Sequence, residues 1–271
     1  MLWFAPAASI ERRRCVFLFF RWLMSFLFRY AALGTFLVAA GFAGHADANV
    51  VINGTRVIYP SEDKEVTVKL SNDSAQPMLV QVWLDNGDEK SAPEKIKTPF
   101  TLTPPISRIE PGKGQAVRVL YTQDPLPSDK ETLFWFNMLE VPPKPADAEG
   151  RNLLQFAFRT RIKFIFRPKG LAGNAADAYQ QLSWKLVSNQ DNKGLALQVS
   201  NPTPYYVNFA HVGIMQGDKR ELEQGGMVAP GATTVFQLTK LQGQPSADAK
   251  ATFDVINDFG AVAEHDQALS R

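Results

Sequence analysis

Leu153 to Pro168 reads L-L-Q-F-A-F-R-T-R-I-K-F-I-F-R-P. The first half alternates: Leu154, Phe156 and Phe158 fall on one face of an extended strand, and Gln155, Ala157 and Arg159 on the other. The second half turns basic, with Arg159, Arg161 and Lys163 two apart and so on one face, opposite Thr160, Ile162 and Phe164. Pro168 closes the run, because proline cannot donate to a sheet ladder. The pattern predicts one strand of sixteen residues, where about five or six is usual. A strand of that length is either a core strand shared by two layers or an edge strand that offers backbone and side chains to a partner.

Upstream, strand-like runs alternate with turn signals and no long helical period appears. The runs are Val50–Tyr59, Glu65–Leu70, Leu79–Leu84, Phe100–Thr103, Gln115–Tyr121 and Leu133–Val141. Proline, glycine and asparagine pairs such as Asn86-Gly87, Pro104-Pro105 and Pro111-Gly112 separate them. With the opening stretch they make seven strands, an immunoglobulin-like count. After a break at Arg167–Gly173 a second series follows, at Leu182–Val187, Leu195–Val199, Tyr206–Ile214, Thr233–Leu238 and Ala251–Ile256. The fold class expected is all-β: two immunoglobulin-like β-sandwiches, residues 49–170 and 171–271, joined at an angle by a short hinge. The end of the chain, Ala261–Arg271, carries only Val262 and Leu269 as larger apolar residues, so the last strand is expected to be reduced.

Residues 1–48 hold two apolar runs, Cys15–Phe20 behind three arginines and Ala31–Ala43 behind Arg29, and end in Ala46-Asp47-Ala48. This reads as a signal peptide cleaved after Ala48, with residues 1–23 an extension upstream of a start at Met24. An uncleaved membrane anchor is the other reading, although the second run is short for the ~20 residues a bilayer needs. Five of the 29 basic and two of the 27 acidic residues lie in this leader, so the mature chain carries 24 against 25. The whole-chain charge of +2 is thus a property of the leader, and no basic excess remains for a nucleic acid. The one cysteine, Cys15, is also in the leader, so core burial alone must hold the mature fold.

Chemistry is scarce. The sequence has no G-x-S-x-G, phosphate loop, C-x-x-C or H-E-x-x-H motif, and Gly112-Lys113-Gly114 reads as a turn. His45, His211 and His265 are too scattered for a metal site. No enzyme, cofactor or metal is expected. What remains is two strand-borne cations, Arg56 and Lys163. They are either ordinary surface charges or the mouth of a cleft that captures a terminal carboxylate beside a strand-adding edge.

Several segments resemble the periplasmic chaperones of chaperone–usher pilus assembly, the PapD-like family. They are G-T-R-V-I-Y-P at 54–60, T-P-P-I-S-R-I-E-P-G at 103–112, L-F-W-F-N-M-L-E-V-P-P at 133–143, R-T-R-I-K-F-I-F-R-P at 159–168, N-P-T-P-Y-Y-V at 201–207 and I-N-D-F-G at 256–260. Six segments in register over residues 49–260 are more specific than any one of them. The resemblance implies roles. Arg56 and Lys163 anchor the C-terminal carboxylate of a pilus subunit, with Thr55 beside them. Leu154, Phe156 and Phe158 are donated, on a Leu153–Lys163 strand, into the groove of an incomplete subunit. Glu131, Arg167 and Asp258 form a charge bridge between the domains. The partners implied are pilus subunits, an outer-membrane usher and a weak self-dimer, with no nucleic acid and no membrane insertion of the mature chain. The short, cysteine-free stretch from Val141 to Leu153 resembles the branch with a short loop there. A secreted immunoglobulin-like adhesin or fibre subunit is the alternative; it would pair its apolar ladder with a copy of itself and leave Arg56 and Lys163 dispensable.

Overall fold

The computed structural model describes residues 50–144, 154–188, 194–241, 243 and 245–270, all within one compact unit, Ala48–Arg271. The leader expected at 1–48, the cleavage point and Leu153 lie outside the described residues. Among the described residues no helix is long and apolar enough to cross a membrane.

Among the described residues nine strands build the first sandwich: β1 (Val50–Ile52), β2 (Arg56–Pro60), β3 (Glu65–Asn72), β4 (Met78–Asp85), β5 (Phe100–Thr103), β6 (Ile106–Ile109), β7 (Gly114–Tyr121), β8 (Thr132–Val141) and β9 (Phe158–Arg167). They form a four-stranded sheet, β1-β3-β7-β5, facing a five-stranded sheet, β2-β9-β8-β4-β6. Inward residues alternate as the period of two requires, for example Val80, Val82 and Leu84 against Val117 and Val119, all buried. Aromatic rings fill one end. Tyr59, Phe100, Tyr121, Phe134, Phe164 and Phe166 pack with centroids 4.8–6.4 Å apart, edge-on or tilted. The Tyr59 hydroxyl donates to the carbonyl of Lys64 at 3.0 Å and accepts from the Tyr121 amide at 3.2 Å, so the largest ring of β2 also ties the two sheets.

The second sandwich comprises β10 (Ser183–Ser188), β11 (Leu195–Ser200), β12 (Val207–Gln216), β13 (Lys219–Gln224), β14 (Met227–Val228), β15 (Thr233–Leu238), β16 (Lys250–Ile256) and β17 (Val262–Ser270). They follow one hydrogen-bonded path, β13-β12-β16-β17-β10-β11-β15, with β14 beside β12. The path closes on a second core in which Trp184 stacks on Phe253 at 4.7 Å. A 3-10 helix, Ala175–Gln181, leads into it, with the Asn174 side chain accepting from the Ala176 amide. The same turn recurs in both sandwiches. Buried Asn72 and Asn201 each accept from the hydroxyl and the amide two residues on, Ser74 and Thr203, and each donate to backbone carbonyls across the turn.

Three expectations are corrected. The run Val50–Tyr59 is two strands in different sheets, since Gly54, at φ +134°, turns the chain from β1 to β2. The run at 153–168 is a ladder only from Phe158: β8 ends at Val141 and the last pair is Glu140 with Phe158, and residues 154–157 pair with no strand among the described residues. The final strand is not reduced. β17 pairs with β16 along all of Lys250–Ile256, and of its inward residues Leu269 packs against the second core while His265 and Gln267 find partners. Gln267 accepts from the Trp184 indole at 3.1 Å and donates to the Leu182 carbonyl at 2.7 Å, and His265 stacks on Tyr179. Strands β6, β13 and β14 also had no counterpart among the sequence runs.

Candidate functional site

The parallel pairing of β2 with β9 sets Arg56 directly opposite Lys163 on the outward face of the sheet. Both lie where the two sandwiches meet. The Arg56 guanidinium donates to the Ile256 carbonyl at 3.2 Å, and the Lys163 ammonium donates to the Asn208 side-chain oxygen. Neither cation makes an ion pair among the described residues, and the buried Arg56 Nε has no hydrogen-bond partner. Burial first, and then the neighbouring Arg56, push the Lys163 ammonium down to about 8. Burial also lowers Arg56, partly offset by Asp258. Two adjacent, half-buried cations with spare donors, neither in an ion pair among the described residues, make a site for an anion.

The other cations on this face are spoken for. Arg161 donates to both oxygens of buried Asp85, at 2.6 and 3.0 Å, and lies over the Trp135 ring at 4.2 Å. Arg159 donates to the Asn137 side chain at 2.7 and 2.9 Å and lies over Trp83 at 5.0 Å. Asp85 stays below its ordinary range: burial opposes its charge, but donors from Arg161, Asn137 and the Gly87 amide outweigh it. So of three basic residues spaced by two, only Lys163 is left to meet a ligand.

Past the other end of β9's ladder stand the apolar residues. Leu154 is 80 % exposed, Phe156 59 % and Phe158 55 %, and the two phenylalanine rings lie 6.5 Å apart on one side. Phe158 stands at the last pair of the ladder and Leu154 and Phe156 lie beyond it, so three large apolar side chains in water form an exposed apolar edge.

Arg167, at the opposite end of β9, donates to Glu131 at 2.6 Å and to both oxygens of Asp258 at 2.7 and 3.0 Å. Glu131 is buried and also accepts from the Tyr206 amide at 2.7 Å. Burial raises its carboxyl more than Arg167 and that amide lower it. Arg167 itself is held above its ordinary value, the two carboxylates overriding its burial. The bidentate Asp258 sits in the turn Asn257–Gly260, and Gly260 lies against Thr55: a Cβ there would come within 2.6 Å of the threonine hydroxyl. All nine site residues named from the sequence are therefore described, eight near the meeting of the sandwiches or on the segment leading to β9 and the ninth, Thr55, packed against the turn. Sequence reading did not find Asn208, the Ile256 carbonyl or Asp85. Asn208 is a polar residue between apolar neighbours on β12, and only the fold places it 45 residues away beside Lys163.

Two family models match the chain: the N-terminal domain of the pili and flagellar-assembly chaperone PapD over residues 49–172, and the C-terminal domain of the pili assembly chaperone PapD over residues 177–267. The probable fimbrial chaperone YadV of Escherichia coli K12 is 45 % identical over 238 residues, which is 86 % of this chain and 95 % of the relative. The crystal structure of the YadV chaperone superposes with a TM-score of 0.70 at 43 % identity, covering 82 % of this chain and all of that one. The SafB chaperone of Salmonella enterica, solved in complex with the SafA pilin, superposes with a TM-score of 0.66 at 30 % identity, covering 83 % of this chain and 99 % of the other.

Proposed function

The chain belongs to the PapD-like family of periplasmic, non-enzymatic pilus-assembly chaperones of the chaperone–usher pathway, and we propose that it holds its subunit by a carboxylate anchor and a donated strand. Arg56 and Lys163 bind the C-terminal carboxylate of the subunit. Leu154, Phe156 and Phe158 enter the groove of a subunit sandwich that lacks its last strand, adding a strand to its edge. The carboxylate fixes register, which decides whether apolar side chains meet the groove or the solvent. The subunit then passes to an outer-membrane usher. Glu131, Arg167 and Asp258 hold the two sandwiches at the angle that keeps the anchor open, and Thr55 supports the turn beside it. Between subunits, the exposed ladder pairs weakly with that of a second copy. The short, cysteine-free stretch from Val141 to Leu153 supports the short-loop branch.

The observation that carries this reading is the side-by-side pair of half-buried cations without a carboxylate partner among the described residues. The test is co-expression with a fimbrial subunit of the same assembly system and recovery of the complex, wild type against Arg56→Ala and Lys163→Ala. Leaving one charge of a buried carboxylate pair unmatched costs about 2–5 kcal/mol, so each variant is expected to lose most of the complex while keeping its circular dichroism. Folded variants that recover the subunit as well as wild type would sink the anchor.

A further inference from the structure

Beside the two cations the second sandwich carries a pocket of about 120 Å³. Its wall includes Tyr179, Tyr206, Asn208, Val255, Ile256 and Phe259. Two of these are the residues that hold the anchor: Asn208 accepts from Lys163, and the Ile256 carbonyl accepts from Arg56. The pocket therefore begins one residue from where a bound carboxylate sits, and its walls are aromatic and aliphatic apart from Asn208, Asn257 and Asp258, whose carboxylate is taken up by Arg167. Phe259 forms its rim and is 94 % exposed, the most exposed large apolar residue among those described. The turn that carries it is fixed. The Asn257 side chain accepts from the Phe259 and Ala261 amides at 3.0 and 2.9 Å, and the Asn257 carbonyl accepts from Gly260 at 3.0 Å. The adjoining Asp258 is clamped by Arg167. An exposed aromatic ring on a fixed turn beside an anion site is the kind of residue that anchors interfaces, because its large apolar area is gained with only two side-chain torsions to order.

We infer that this pocket takes the side chain of the subunit's last residue, and that it selects a single mid-sized apolar or aromatic group there. The inference rests on the carboxylate-anchor reading: with the carboxylate on Arg56 and Lys163, the terminal Cα lies against Asn208 and Ile256, and its side chain has the Phe259 rim and the two tyrosines as its nearest apolar surface. The volume is slightly below the roughly 150 Å³ of an apolar cavity that accepts benzene. It suits leucine, phenylalanine or tyrosine and is too small for an indole.

The experiment measures binding of three synthetic peptides of one alternating-valine sequence to the whole protein. One ends in phenylalanine acid, one in glycine acid and one in phenylalanine amide. The phenylalanine acid is expected to bind at least tenfold more tightly than the glycine acid, the discrimination one apolar group gives in such a pocket. Phe259→Ala, at a solvent-exposed rim position, is expected to bring the two acids within about threefold while leaving the glycine acid unchanged. Ala176→Phe, which fills the pocket from the 3-10 helix, is expected to do the same. Equal binding of the two acids by wild type, with the amide still rejected, would overturn the pocket and leave the anchor standing. Equal binding of acid and amide, or no binding of any peptide at millimolar concentration, would overturn the anchor and the pocket with it.

Discussion

Lys163 is the residue at which the proposed anchor responds to solution conditions. Its ammonium is held at about 8 by burial and by Arg56, against which Asn208 supplies only a neutral acceptor. An arriving carboxylate favours the charged form and raises that value, so above pH 8 binding must take up a proton. Subunit affinity is therefore expected to be flat below about pH 7.5 and to fall above pH 8, at most about tenfold per pH unit. The stability of the free protein moves the other way. The folded value lies below the ordinary lysine value, so between about 8 and 10.5 the unfolded chain binds more protons and folding is favoured as pH rises. Titrating affinity and denaturant midpoint on the same samples separates the two trends. Lys163→Arg keeps its charge through this range and is expected to remove the slope in affinity. A slope that survives in that variant would assign the titration to another group.

At the scale of elements, the segment from Leu154 to Phe158 is expected to matter to partners and not to the fold. Its side chains are exposed and lie outside both cores. Burying two phenylalanines against a subunit contributes about 1.5–3 kcal/mol each before ordering costs. Phe156→Ser with Phe158→Ser is expected to lower subunit affinity at least a hundredfold and to abolish self-association in sedimentation, with the melting temperature unchanged or slightly raised. A melting temperature lowered by several degrees would place these rings in the fold instead. The alternation at 154–166 was legible in the sequence because its apolar residues recur every second position, Phe164 and Phe166 entering the core and Leu154, Phe156 and Phe158 staying exposed. Other elements were not. V-I-N-G-T-R-V-I-Y reads as one run, and only the positive φ of Gly54 splits it between sheets. Strand β17 presents His265 and Gln267 inward with Leu269 as its one inward apolar residue, so its apolar signal is weak; Tyr179, Trp184 and Leu182 supply stacking and hydrogen bonds. Strand β6 is four residues close behind a proline pair, too short for periodicity to register. The cations of the site could be named from the chain by resemblance, but Asn208 and Ile256 join them only through the meeting of two separately built sandwiches.

For the whole molecule, the question is what keeps two sandwiches in one orientation. Polar contacts join them: Arg56 to the Ile256 carbonyl, Lys163 to Asn208, Glu131 to the Tyr206 amide, the Glu131 amide to the Pro204 carbonyl, and Arg167 to Asp258. An interface of that kind orients by direction and charge more than by area, so removing its central charge should loosen the orientation before it unfolds either core. Arg167 is that charge, since Glu131 and Asp258 both depend on it. Arg167→Ala leaves the Glu131 carboxylate buried without its cation. Breaking a fully buried pair costs about 3–5 kcal/mol, and because the Arg167 side chain retains 23 % exposure the expected loss is smaller, about 2 kcal/mol. The loss has a definite pH dependence. The Glu131 carboxyl already lies above its ordinary value through burial, and without Arg167 it rises further. A folded state that binds a proton more tightly than the unfolded chain loses stability as pH rises from the ordinary carboxylate value through the folded one. The variant is thus expected to be nearly as stable as wild type at pH 5 and clearly less stable at pH 7.5. In calorimetry at pH 7.5 its single transition should separate into two, one for each sandwich, while subunit binding falls because Arg56 and Asn208 no longer share a fixed frame. A deficit independent of pH would mean that Glu131 reaches solvent once Arg167 is gone. A single transition with full subunit binding would show that the polar contacts other than Arg167 suffice to hold the two sandwiches together.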